Sequence, residues 1–182
     1  FRREDDEEAG TYEGKSLRGA NFVKLGKKTG HTTPVHLLDW VCDMVKQVVR
    51  STFTSEGHGV LARMDQALVL GVTLHEVERG PLPMSQLREV TDKSGLCYAV
   101  DVITDAKIFL LALEVARMKP PAEKSFYFHL LWMRWKLETG AIRALVWRDT
   151  RDMTADGHTK GSISRKALRT LTTGQCEQQH EE

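Results

Sequence analysis

The run Ser51–Arg79, STFTSEGHGVLARMDQALVLGVTLHEVER, constrains the fold more than any other stretch of the chain. Val60, Leu61, Met64, Ala67, Leu68, Gly71 and Leu74 recur at three- and four-residue steps. That spacing predicts one long helix with a single apolar stripe turned toward a core. Thr54 is the expected N-cap, with Ser55 and Glu56 opening the first turn. Glu56 lies four residues before Val60 and eight before Met64, which puts it at the edge of the buried stripe. A carboxylate there is costly unless positive charge meets it. The helix dipole supplies a little of that charge, and a divalent cation would supply much more. A glutamate that only complements the dipole is the commoner arrangement.

The chain of 182 residues is long enough for one domain with a sizeable core. Lys and Arg number 26 against 25 Asp and Glu, so any basic surface must be local. Cys42, Cys97 and Cys176 are far apart and form no CxxC pair, which suits a reducing, intracellular compartment (cytoplasm or nucleus) without a zinc site. Apolar runs fall short of spanning length, so no membrane association is expected. The chain opens on Phe1, as a piece of a longer polypeptide would.

Residues 1–16, FRREDDEEAGTYEGKS, form a charge block expected to be a disordered arm, and GQCEQQHEE within 173–182 an expected disordered tail. Residues 17–172 make up the expected domain. Ala20–Lys28 reads as a strand followed by a turn at Gly30. The segment PVHLLDWVCDMVKQVVRST suits a helix or a strand. Its β-branched residues favour a strand, with a bulge or break near Asp39–Asp43. Gly80, Pro81 and Pro83 stop the long helix, and a helical turn at Ser85–Val90 interrupts the loop that follows. Cys97–Asp105 reads as a strand, Ala106–Met118 and Phe126–Thr139 as helices, and Ala141–Arg148 as a strand that is central or covered. In Phe126–Thr139 the side bearing Phe128, Leu131, Trp132 and Trp135 is expected to face the core. Trp132 and Trp135 could alternatively stack on bases. Trp147 is also expected in the core. A last helix runs to Thr172, from about Thr154 or from Ser162 after Gly161. Strands first and strand–helix alternation later imply an α/β domain with a mixed sheet.

Three blocks, STFTSE, VDVITDAKIFLLAL and LVWRDTRDMTADGHTKGS, lie in an order that resembles the ribonuclease H domain of copia-type retrotransposon polyproteins. The likeness covers roughly residues 15–170, and the last block is its most specific part. It implies a ribonuclease H-like mixed β-sheet flanked by helices. It also implies hydrolysis of the RNA strand of RNA–DNA hybrids with two Mg²⁺ or Mn²⁺ ions, beside the reverse transcriptase region of the same polyprotein. Two-metal cleavage needs carboxylates from separate elements around ions roughly 3.5–4 Å apart. Glu56, Asp105 and Asp156 match the family's second, third and fourth acids. Each has a plainer reading: Asp105 as an N-cap, and Glu56 and Asp156 as first-turn acids. Asp101 competes with Asp105, but mid-strand alternation turns it to another face. Lys27, Lys28, His158, Lys160 and Arg165 are candidates for contacting substrate, with a solvated face as the alternative.

The family's first acid has no counterpart. FRREDDEEAG lacks a strand pattern, and Asp5 and Asp6 sit in a charge run. The resemblance therefore implies that the first strand, which lies mid-sheet between the second and fourth, is missing and that cleavage is impaired. Three readings follow: a fragment of a hybrid-cleaving enzyme, a decayed non-catalytic module of the same fold that binds nucleic acid or a partner, and an unrelated α/β interaction domain.

Overall fold

Ser51, rather than Thr54, caps the long helix: its Oγ accepts from the Thr54 amide at 3.1 Å, and α1 runs Thr52–Arg79. Thr54 is instead buried in the first turn. Glu56 therefore sits in the second turn, and no acid occupies the first. The computed structural model describes residues 17–27, 32–44, 51–115, 117–159 and 165–177. The expected arm 1–16, residues 178–182, Lys28 and Lys160 lie outside them.

Ahead of α1, β1 (Leu17–Leu25) and β2 (Thr32–Met44) form an antiparallel hairpin. The strand reading of the second segment holds as far as Met44, and its residues 45–50 lie outside the described residues. Phe22 pairs with Asp39 and Val23 with Leu37, so Leu38 is the extra residue of a bulge just before the expected place. After α1 come α2 (Met84–Asp92), β3 (Asp101–Thr104), α3 (Lys107–Glu114), α4 (Phe126–Glu138) and β4 (Ala144–Trp147). A 3₁₀ turn (Thr150–Asp152), α5 (Asp156–Thr159), α6 (Lys166–Thr172) and β5 (Gln175–Glu177) complete the described chain. Residues 175–177 depart from the disordered tail expected there, because they pair with Thr32–Pro34 at the start of β2.

The architecture is mixed α/β, but two sheets stand where one was expected. One is the antiparallel sheet β1-β2-β5 and the other is the parallel pair β3-β4. Among the described residues no strand pairing joins β1 to β3. The strand expected from Cys97 is regular only from Asp101. Within it Val102 and Thr104 are buried and Ile103 is exposed, the alternation of a one-sided strand. β4 is half-buried throughout and among the described residues pairs only with β3, which makes it an edge strand there and not a central one. Trp147 within it is likewise half-buried, not core.

α1 touches both sheets but is fastened to them differently. Toward β3, α3 and α4 its stripe meets an apolar core of Val60, Met64, Leu68, Val102, Phe109, Leu113, Phe126, Leu130, Met133 and Ile142. Gly57 lets this core close. A Cβ there would lie 2.3 Å from Phe126 Cζ, so only glycine admits the Phe126 ring. Lys136 is buried beside this core, and its ammonium donates to Thr91 O at 2.6 Å and Asp92 Oδ1 at 2.9 Å, tying α2 to α4. Toward the hairpin, contact is polar. Arg63 Nη2 donates to Asp43 Oδ1 at 2.7 Å, and Arg18 Nε reaches the same oxygen at 2.6 Å. Gln66 donates to Asp39 at 3.0 Å, and Lys24 of β1 meets Glu78 at 3.2 Å and the Tyr98 hydroxyl at 2.5 Å. No hairpin residue belongs to the core cluster.

α4 turns a different side inward from the one expected. Phe126, Leu130, Met133 and Lys136 are buried, whereas Phe128, Leu131 and Trp135 are exposed. The helix is apolar nearly all round, so its sequence contains two possible inward faces. The pocket formed by Phe53, Gly57 and Phe109 selects the one that carries Phe126. No helix among the described residues is long and apolar enough to cross a membrane.

Candidate functional site

Asp105 stands at the carboxyl end of β3, where the chain turns into α3. The cap reading does not account for its side chain. The N-cap of α3 is Ala106, without a side-chain cap bond, and the Ala106 amide donates instead to Thr104 Oγ1 at 3.2 Å. Asp105 is held through its backbone: its carbonyl accepts from the Lys107 amide at 2.9 Å and from Trp147 Nε1 at 3.1 Å. Its carboxylate is left to accept from Thr150 Oγ1 at 3.2 Å. Asp101, the competitor, is engaged elsewhere, in a bidentate ion pair with Arg143 of the neighbouring chain segment.

Glu56 comes from the second turn of α1 to the same place. Its side chain is exposed as a whole, while its carboxyl is partly screened from water by the surrounding elements. That screening first, and the negative charge of Asp105 second, hold its pKa above the usual carboxylate range. Two acids 49 positions apart in sequence (105 − 56) thus act on each other across the gap between a helix and a strand end. The helix-dipole reading of Glu56 weakens with its place in the second turn, since that field falls off within the first.

Asp156 opens α5, a single turn docked on the hairpin rather than on the core. Asn21, in mid-β1, donates from Nδ2 to Thr154 Oγ1 at 2.9 Å. Its Oδ1 is then left to accept from His158 Nε2 at 2.8 Å, which sets the Nε2–H tautomer. The His158 ring stacks on Trp40 with centroids 5.3 Å apart. Gly19 makes the approach possible, because a Cβ there would come within 2.7 Å of the Ala155 carbonyl oxygen. Burial, and then the charge of Arg165, lower the His158 pKa and favour the neutral ring.

The structure therefore leaves Glu56 within electrostatic reach of Asp105 and places Asp156 on a separate, hairpin-borne element. Among the described residues no group of three His, Cys, Asp or Glu is placed to hold a metal ion. Two carboxylates can serve one hydrated Mg²⁺, which takes one or two such ligands plus waters and phosphate oxygens. The two-ion arrangement that the resemblance implies for the intact site calls for further carboxylates. His158 and Arg165 are neighbours, while Lys27 is exposed beyond the end of β1. Sequence reasoning missed Asn21 and Thr150. A polar Asn within the apolar strand ANFVKL was a usable signal, whereas nothing in the sequence marks Thr150.

No protein-family model, curated protein or solved structure matches the chain.

Proposed function

We propose that the chain is the ribonuclease H-like region of a retrotransposon polyprotein, with an incomplete cleavage site. The observation that carries this reading is the coupling of Glu56 with Asp105, whose carboxylate serves no capping role. The division into two sheets supports it as well. A central strand between β1 and β3, bearing a further acid, would join the sheets and add the ligand that the pair lacks. In this reading Glu56 and Asp105 supply hard oxygen donors for Mg²⁺ or Mn²⁺, which would supply electrophilic activation of the phosphodiester. Thr150 steadies the Asp105 carboxylate, and the Asn21–His158 contact steadies the segment that carries Asp156. The substrate is an RNA–DNA hybrid, recognised by shape and 2′-hydroxyls rather than by base edges, and the reverse transcriptase region of the same polypeptide is the partner.

The absence of a three-carboxylate group among the described residues favours a second reading, a non-catalytic module that binds hybrid or a partner without cleaving it. A labelled RNA–DNA hybrid separates the two. The chain alone should bind it in a salt-sensitive way and cleave it little or not at all with Mg²⁺ or Mn²⁺. A version extended upstream by the natural preceding segment should cleave, and Glu56→Gln or Asp105→Asn should abolish that cleavage. An extended chain that binds but never cleaves supports the module reading. Cleavage by the chain alone that survives Glu56→Gln contradicts the site assignment.

A further inference from the structure

Two adjacent helices each turn an apolar stripe outward. On α3 and its C-cap the stripe is Ile108, Leu111 and Val115, with relative exposures of 75%, 51% and 49%. On α4 it is Phe128, Leu131 and Trp135, at 73%, 40% and 41%. Both follow the same three-then-four spacing, the a–d–a step of a helix–helix seam. The stripes lie side by side, because Arg134 of α4 donates from Nη1 to the Val115 carbonyl at 2.9 Å. Together these six side chains expose on the order of 600 Å² of apolar surface, the upper end for the largest patch of a monomer. A standard interface takes about 800 Å² per partner. The six side chains alone would supply most of that value, and α4 gives the patch a length of roughly 20 Å.

The charges beside the α3 stripe indicate what covers it. Lys107 precedes Ile108 and Glu114 precedes Val115, one heptad apart and on the same flank. A two-fold axis near Leu111 reverses a second α3, so the first turn of one copy meets the last turn of the other. Lys107 of each copy then lies by Glu114 of its mate, and Ile108 by Val115. The flank is complementary to itself in this arrangement, because a two-fold axis across the helices brings the same flank of each copy together; in a parallel pair it would face the opposite flank of its mate. Lys107 rests over the Trp147 ring at 4.7 Å and is exposed on a flexible stem, so it can turn to this neighbour.

We propose that this α3–α4 face is a homodimer interface, closed by a second copy of the chain in an antiparallel, two-fold arrangement. The interface is independent of the acidic pair.

Sedimentation velocity tests it. The chain should run at twice its 20.6 kDa mass at high concentration and dissociate on dilution. Phe128→Glu, and Ile108→Glu separately, should give the single mass with an unchanged far-ultraviolet circular dichroism spectrum. Lys107→Glu sets Glu against Glu, and Glu114→Lys sets Lys against Lys, so each variant alone should be monomeric or much weakened. Mixed in equal amounts they restore both opposite-charge pairs and should dimerise again. A wild-type chain that stays monomeric at every concentration overturns the proposal. A dimer indifferent to folded Phe128→Glu places the association elsewhere and overturns it too. Failure of the mixed pair to re-form contradicts the antiparallel geometry.

Discussion

The two sides of α1 teach different things about how this chain is held together. Toward β3, α3 and α4 the contact is a continuous apolar core, including the fully buried Met64, Phe109, Met133 and Ile142. Toward the hairpin it is a belt of charge and amide contacts built on Asp39, Asp43, Arg18, Arg63, Gln66, Lys24 and Glu78. Apolar burial is insensitive to ionic strength and scales with area. Exposed and half-exposed ion pairs are individually weak and screened by salt. The candidate site is divided along the same line. Glu56 and Asp105 belong to the apolar half, and Asp156 rides on the hairpin half through Asn21 and His158.

The largest effect should come from the apolar half. Phe109→Ala empties a fully buried ring site beneath α1 and should cost about 3–5 kcal/mol in urea unfolding. Comparable loss from Phe22→Ala in the hairpin would erase the contrast between the halves, because Phe22 lies outside the core cluster.

Next comes Asp43→Asn. It removes the charge shared by Arg18 and Arg63 and leaves Arg63, whose Nε is already buried without a partner, facing a neutral amide. We expect a loss of about 1–2 kcal/mol, reduced from a buried pair because Asp43 is itself partly exposed. The loss should shrink in high salt. In the wild type, Arg18 is the main cause of a lowered Asp43 pKa. This contribution is present above the ordinary value of 3.8 and fades as pH falls through the lower folded value.

A smaller effect of about 1 kcal/mol is expected for Ser51→Ala, which leaves the Thr54 amide without its cap. Fraying of the first turn would also loosen Glu56, so its carboxyl pKa should move down toward the ordinary 4.5 by NMR titration.

The smallest predicted effect is pH dependence near neutrality. His58, packed on Phe126 and His129 with Glu123 and Arg18 nearby, is held below the ordinary 6.5, chiefly by burial and then by His129. His158 is lowered on the hairpin side. For both, the unfolded chain binds the proton more tightly, so stability falls as pH drops below 6.5 toward the folded values. Glu56 and Asp65 are raised, so they gain stability as pH falls toward their ordinary values and partly offset the loss. The drop in Tm on going just below neutrality should be smaller in both His58→Gln and His158→Gln. Hydrogen exchange should place the first in the apolar half and the second in the hairpin.

Much of the frame was legible because period and breakers speak directly. The α1 stripe from Val60 to Gly71 and the stop at Gly80 follow from local rules. What was hidden depends on neighbours. The sequence of α4 carries two apolar faces, and only Gly57 and Phe109 decide which one turns inward. Thr54 looked like a cap, yet Ser51 outbids it by standing three residues ahead of its amide. Among the acids, Asp105 lies at a strand end where local rules put it, and its charge reaches Glu56 in the second turn of α1. Asp156 depends on how α5 docks, which in turn rests on Gly19 and Asn21, residues with no helical or catalytic signature.

The most direct test of the divided structure is hydrogen exchange read by mass spectrometry at about 0.1 M and about 1 M salt, where the Debye length falls from about 10 Å to about 3 Å. Peptides covering Leu17–Leu25 and Asp156–Thr159 should lose protection in high salt, while those covering Val60–Leu68, Phe109–Leu113 and Leu130–Met133 keep theirs. Equal loss in both sets, or none in either, would contradict a hairpin half fastened to the apolar half by charge.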